Sequence, residues 1–307
     1  MINKYLIILI ILLSNNFAIT TYSNNSIFSI SNNPRKNSMG NSHSLSKNIN
    51  GIFTQPISLD EDIEGNIFYS YSNYFNNMFN VMQFGYCLRH NENNNYSIGL
   101  IKRSISNNYN TNFAWNYDVD GPSFDEIDYS EISTFSDNEI GLLFSFTKRI
   151  LIVSNSSFIN IKLKPSFHSI SSDKAYGFSS DFIFNTKIYN LNLNVGIENI
   201  FAYKKWSSQT EKYKINSYLN AEINFNKLLF VCEYHNSRDF LFGLETKINN
   251  FFLLRYGYNN VNKITYGFGI QTNFFEFNYA YLKSENNFIN YLDQYSLIFN
   301  INKIRKL

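Results

Sequence analysis

Two stretches of the chain carry side chains of the kind that do chemistry. Between Trp115 and Glu139, "WNYDVDGPSFDEIDYSEISTFSDNE" gathers Asp118, Asp120, Asp125, Glu126, Asp128, Glu131 and Asp137. Grouped carboxylates suit a hard cation, and Asp118-Val119-Asp120-Gly121 opens like a calcium loop, but the later spacing departs from an EF-hand. The stretch reads instead as a solvated outer loop, with Trp115, Asp118 and Asp120 as candidate partner contacts. The second stretch holds Ser166 and His168, a nucleophile and base that can share one strand face. Pro165 beside them signals the end of the strand, so ordinary rim polarity is the expectation and no enzyme is inferred. His43, His90, His168 and His235 are scattered without HxxxH or ExxH spacing, and Cys87 and Cys232 lack a CxxC pattern. Neither a metal nor a cofactor site is expected.

The elements that hold these side chains are strands. Aromatics make up 18% of the 307 residues, charged residues only 16%, and Pro is only 4, a balance that suits β-structure rather than disorder. A net charge of +2 implies no nucleic-acid partner. At the N-terminus, Lys4 precedes the apolar run "YLIILIILL" from Tyr5 to Leu13, and small residues follow near Ala18. This is the build of an export signal, too short for the roughly 20 residues of a spanning helix. Residues 1–18 are therefore expected to be a cleaved signal peptide. Residues 19–64, rich in Ser and Asn at first, are expected to be an irregular segment, and residues 65–307 a β-domain.

In "FINIKLKP" the apolar Ile159, Ile161 and Leu163 alternate with Asn160, Lys162 and Lys164; "LNLNVGIEN" and "YLNAEINF" repeat the split. Alternation with a period of two sends the two sets to opposite faces of a strand. About fourteen such runs follow one another, most near the 9–11 residues that a tilted strand needs to cross a bilayer. They lie at 66–73, 80–89, 95–104, 139–148, 157–167, 177–188, 191–200, 213–225, 227–235, 240–248, 251–258, 263–272, 273–283 and 294–303. Short links such as 189–190, 226 and 249–250 contrast with longer ones at 105–138, 168–176, 201–212 and 284–293. Tight turns at one end and loops at the other are how an all-β, transmembrane, antiparallel up-and-down barrel is built. A soluble secreted β-protein accounts for the alternation and export but not for the paired loop lengths.

The barrel reading assigns faces. In "FFLLRYGYNN", Arg255 falls on the side opposite Phe252, Leu254, Tyr256 and Tyr258. A cation on the lipid face would cost about 2–4 kcal/mol at the bilayer midplane. Arg255 is therefore expected in the lumen, and the same phase places Lys162, Lys164, Asp181, Glu198, Glu222, Glu245 and Glu276 there, able to pair across it.

Several segments together resemble the PorV/PorQ-like family of bacterial outer-membrane proteins, related in fold to FadL-type transporters. "PRKNSMGNSHSLSKNINGIFTQPISL" is similar to that family's N-terminal pattern through Arg35, Met39, Gly40, Ile52, Phe53, Pro56 and Leu59, though Gln55 and Asn41 depart from it. "KLKPSFHSISSDKAYGFSSDFIF" follows through Lys164, Asp173, Ala175, Gly177 and Asp181, and "LNVGIENIF" through Gly196 and Asn199. Trp206 sits where the family often has a lone Trp in the next loop, and is a further candidate partner contact. The last third matches in "LLRYGYN", "ITYGFGI", "FEFNYAYL" and "DQYSLIFNI", whereas the closing "NINKIRKL" lacks the usual terminal aromatic. The resemblance implies a luminal hatch, for which Met39, Gly40, Phe53, Pro56 and Leu59 are the candidates. It also implies a bacterial outer-membrane location among lipid, and a part in type IX-like protein secretion through secreted cargo proteins. The alternative is a FadL-like channel for a hydrophobic ligand.

Overall fold

In a computed structural model the described residues are 22–23, 27–30, 32–45, 49–53, 57, 59, 63–74, 79–111, 114, 128–152, 155–260, 263–282 and 292–304. The first eighteen residues, expected to be a signal peptide, lie outside them, as do Pro56, Trp115, Asp118 and Asp120.

Period-two alternation becomes a ladder of fourteen long strands. The first seven are β1 (Asn66–Tyr74), β2 (Phe79–His90), β3 (Asn94–Asn110), β4 (Ser133–Ile152), β5 (Asn155–Ile170), β6 (Asp173–Ile188) and β7 (Leu191–Trp206). The others are β8 (Asn216–Phe225), β9 (Leu228–His235), β10 (Asp239–Lys247), β11 (Phe252–Asn259), β12 (Lys263–Gln271), β13 (Phe275–Leu282) and β14 (Leu292–Asn300). Each pairs antiparallel with its sequence neighbours, and β14 returns to β1 through Asp293↔Asn73 to Asn300↔Asn66. The ring is thus closed, which leaves no unpaired edge to desolvate in a bilayer. Two helices also matter below: α1 (Pro34–Ser38), inside the ring, and α2 (Ile301–Ile304), after the last strand.

Burial follows the alternation. On β4, Leu142 and Phe144 are exposed on the outside while Leu143 is wholly buried inside. Outward positions from β8 to β14 carry Leu219, Phe230, Phe242, Leu254, Tyr256, Tyr266 and Tyr295, all exposed, the surface a hydrocarbon environment favours. Turns at the end holding both the start of β1 and the end of β14 are short, as at 91–93, 189–190, 226–227 and 272–274. The opposite end holds the longer connections 111–132 and 207–215.

Several expectations change. Residues 168–176 are not a loop: β5 and β6 run on and meet at a turn of residues 171–172. Pro165 does not end β5, because its missing N–H leaves the pairing with β6 intact at Pro165↔Phe178 while the register with β4 passes from Gly141↔Ser166 to Phe144↔Leu163. The strands β3 to β7 are 16 to 20 residues long, so that side of the barrel is taller than the side built from the shorter β8 to β14. The loop expected at 105–138 shortens accordingly, and Trp206 ends β7 instead of lying in the loop after it. The last strand stops at Asn300, where "INKI" turns into α2. Near its top β7 is bulged: its register with β6 slips twice between Phe178 and Phe182, and Asn199 and Phe201 adopt positive φ of 61° and 55°. Thr210–Tyr213 folds back as a short strand against this part of β7.

Candidate functional site

The candidate site is the interior, where the segment before β1 meets the wall. Asn33 caps α1 by accepting from the Lys36 amide at 3.2 Å, and Pro34 begins the helix where its missing N–H costs nothing. All five helical residues are buried, although three are Arg, Lys and Asn, which requires partners for them on the wall.

Glu245 supplies the first partner. It accepts from Arg35 Nε at 2.9 Å and Nη2 at 3.1 Å, and from Arg255 Nε at 2.6 Å. Arg255 is the direct cross-strand neighbour of Glu245, so pairing of β10 with β11 by itself sets the guanidinium beside the carboxylate. Arg255 also donates to Asn278 at 2.7 Å, and Asn278 to Glu276 at 2.9 Å, which carries the network to β13. Burial pulls the Arg35 guanidinium down, but Glu245 outweighs it and leaves it above its ordinary range.

Glu233 and Glu198 hold the next turn of the segment. Glu233 accepts from the His43 amide at 2.6 Å and lies 2.8 Å from His43 Nδ1, while Glu198 is 3.2 Å from Nε2. The imidazole stacks on Tyr218 at 4.1 Å between centroids, and Lys36 Nζ is 2.8 Å from its Nε2. Burial, with Arg238 adding to it, pushes the Lys36 ammonium down to about 7 despite Glu198 and Glu233. Glu222 then receives the Leu45 amide at 2.8 Å and Asn192 at 2.9 Å. Between these contacts, Gly40 turns at φ 71° and its amide donates to Thr265 at 3.0 Å. The turn presses on backbone: a Cβ on Gly257 would lie 1.9 Å from Gly40 N, so the glycines of β10, β11 and β12 form a slot for it.

The opposite wall carries the main apolar cluster. Ile49, Ile52, Phe53, Ile57 and Ile63 pack with Phe68, Val81, Cys87, Ile101, Leu143 and Ile298, on strands β14 and β1 to β4. A Cβ on Gly99 would sit 2.6 Å from the Phe53 ring, so glycine makes room there too. The lumen is therefore not uniformly polar, as the alternation had suggested. The ion pairs to the N-terminal segment lie on β7, β9 and β10, and the main apolar cluster on β14 through β4, where buried Ser70, Ser72, Gln83 and Gln294 interrupt it.

Among the expected hatch residues, Met39, Phe53 and Leu59 are buried and Gly40 forms the turn. The eight charged residues expected in the lumen face inward. Lys162 reaches Gly51 O at 3.4 Å; Lys164 pairs with Asp181 at 2.6 Å; Asp181 also accepts the Asn199 amide at 3.0 Å and so satisfies the bulge in β7. Arg35, Lys36, His43, Glu233 and Tyr218 were not anticipated as members. Glu233 and Tyr218 were legible as inward positions of their strands, but nothing marked which hatch residue each would meet.

His168 belongs to a separate network at the tall end. Its Nε2 lies 2.7 Å from Asp137 and its Nδ1 3.0 Å from Lys204 Nζ, while Glu139 takes Lys204 at 2.6 Å and Arg103 at 3.3 Å. Trp206 packs tilted against His168, with ring centroids 5.0 Å apart, and donates to Glu211 at 2.8 Å. Ser166 shares the face, and among the described residues no hydrogen bond joins it to His168. Beneath the hatch, at the tight-turn end, a cavity of about 390 Å³ is lined by Arg35, Glu222, Glu245, Arg255 and Glu276 together with Leu45, Ile63, Leu229 and Leu253.

No family model matches the chain, and no curated protein matches it in sequence. Solved structures do match in shape. The toluene transporter TodX of Pseudomonas putida aligns at a TM-score of 0.60 and 11% identity, covering 86% of this chain and 96% of that one. The toluene transporter TbuX of Ralstonia pickettii aligns at 0.55 and 9% identity, covering 86% and 96%. A TodX variant described as a monoaromatic hydrocarbon channel gives 0.57 at 10% identity, covering 86% and 97%. The fold is that of a FadL-type outer-membrane barrel. The FadL side of the resemblance is supported by these structures; its PorV/PorQ side is not.

Proposed function

We propose that this outer-membrane barrel is a channel for small hydrophobic molecules, gated by its N-terminal hatch. The observation that carries the reading is the division of the lumen. Ion pairs tie the hatch to β7, β9 and β10, whereas against β14 and β1–β4 it packs apolar side chains beside the neutral hydrogen bonds of Asn32 and Asn37. A hydrophobic solute moving along the second seam displaces dispersion contacts and these neutral hydrogen bonds, and breaks no ion pair of the hatch. At the tight-turn end it reaches a cavity where apolar and ionic groups alternate, a surface from which it is released more easily than from a fully apolar pocket. The likeness to toluene transporters supports the same class of solute. Handling of secreted cargo, the other expectation, has no comparable observation behind it.

The test is uptake of radiolabelled toluene by outer-membrane vesicles carrying the wild-type protein or Ile52→Asp. Faster entry than into vesicles without the protein, lost in the variant while a small polar solute is unaffected, supports the reading. No acceleration, with secreted proteins instead recovered from a mild detergent extract, would refute it in favour of cargo handling.

A further inference from the structure

The tall strands carry an outward surface that neither the hatch nor the lumen uses. At the outward positions of β5, β6 and β7, an aromatic residue is followed toward the rim by a polar or cationic one: Phe167 then Ser169, Tyr176 then Lys174, Tyr203 then Lys205. The ladders set these side by side. Phe167 pairs with Tyr176 and Tyr176 with Lys205; Phe178 pairs with Tyr203 and Tyr203 with Lys212 of the short strand. Tyr176 is 66% exposed, Tyr203 44% and Phe201 81%. Lys174, Lys205 and Lys212 are exposed as well, and none has an ion-pair or hydrogen-bonding side-chain partner among the described residues. Of the acidic residues nearby, Glu211 is engaged by the Trp206 indole and Asp173 closes the β5–β6 turn.

An aromatic row capped by cations marks the level where acyl chains give way to headgroups. The short turns lie at the other end of the barrel and the longer connections at this one, so this row belongs to the outer leaflet under the usual orientation of such barrels. We propose that β5–β7 and the Thr210–Tyr213 strand form a docking site for a phosphate-bearing glycolipid of the outer leaflet. Tyr176, Tyr203 and Phe201 lie along its acyl and sugar portions, and Lys174, Lys205 and Lys212 engage its phosphates. The charge is complementary: three exposed lysines on three adjacent strands, two of them cross-strand neighbours of Tyr176 and Tyr203, face a lipid that carries phosphates. The bulge at Asn199 and Phe201 is what turns two successive side chains of β7, Ile200 and Phe201, toward this face.

The probe is bisphosphorylated lipid A, titrated into the full-length protein in dodecyl maltoside and followed by native mass spectrometry, with dephosphorylated lipid A and phosphatidylglycerol as comparisons. The phosphorylated glycolipid should bind tightest. A K174Q/K205Q/K212Q variant should weaken it by at least about tenfold, while K227Q/K247Q at the other end changes it by less than about twofold. Heat-modifiable migration on a gel verifies that each variant still forms the barrel. Equal binding of phosphorylated and dephosphorylated lipid A, or undiminished binding to the triple lysine variant, overturns the proposal. Equal binding of phosphatidylglycerol overturns the assignment to a glycolipid.

Discussion

Replacing Glu245 by Gln should free the hatch without dismantling the barrel. The carboxylate neutralises two buried guanidiniums at once, Arg35 at 2.9 Å and Arg255 at 2.6 Å, and both arginines keep less than a tenth of their surface exposed. Removing one partner of such a group costs about 3–5 kcal/mol, because the charges left behind remain out of water. The barrel can relieve that cost by letting Arg35 leave with its helix, so the change appears mainly in hatch docking. It amounts to roughly a hundredfold to several thousandfold in the docking equilibrium. Arg35→Met should cost less, about 1.5–3 kcal/mol, since Glu245 keeps Arg255 and only charge-assisted hydrogen bonds are lost. Hydrogen exchange of amides 34–45 in detergent reads the docking equilibrium, and exchange of β11 and β12 reads the wall. Unchanged exchange of the hatch in E245Q, or a larger effect for R35M than for E245Q, would refute this account.

Three further outcomes are expected. Gly257→Ala should displace the Met39–Gly40 turn at a cost of about 1–3 kcal/mol, since the added carbon meets backbone that cannot rotate away; Gly99→Ala, which meets the movable Phe53 ring, should cost less, and bilayer conductance should rank the two in that order. Lys36 has a docked pKa of about 7 against an ordinary 10.5, so its contribution to docking is fully present above pH 10.5 and is lost as pH falls toward 7, then constant below; hatch exchange measured from pH 7 to 10.5 should show that decline in the wild type and not in Lys36→Met. Leu254→Arg places a cation among lipid and should destabilise the barrel by about 2–4 kcal/mol in urea-induced unfolding from vesicles; an unchanged midpoint would mean that this face of β11 is not in the membrane.

What could be read from the sequence was set by local rules. A period of two is a property of the strand itself, so the inward placement of Glu222, Glu245, Arg255 and Glu276 follows from their phase relative to Leu254, Tyr256 and their like. Strand ends were read less well wherever composition misled. Residues 168–176 read as a loop, and Pro165 as a stop, yet β5 and β6 continue because a barrel wall supplies pairing on both sides even where one ladder is interrupted. The "NINKIRKL" end likewise reads as strand by alternation, but past Asn300 no partner strand remains opposite and the chain turns into α2.

The amino-acid sequence by itself therefore determined a β-barrel, its lipid-facing and inward residues, and the segment before β1 as the candidate hatch. Only the tertiary structure decided how that segment sits. Which carboxylate meets Arg35 or His43 depends on residues about 200 positions apart being brought together by ring closure, a distance no local pattern encodes. Sequential pairing of β1 to β4 sets the inward Phe68, Val81, Ile101 and Leu143 side by side, and closure adds Ile298 of β14 to them and brings the ionic anchor across the lumen. Each strand specifies its own two faces; which faces become neighbours across the lumen is fixed only when the fourteenth strand meets the first.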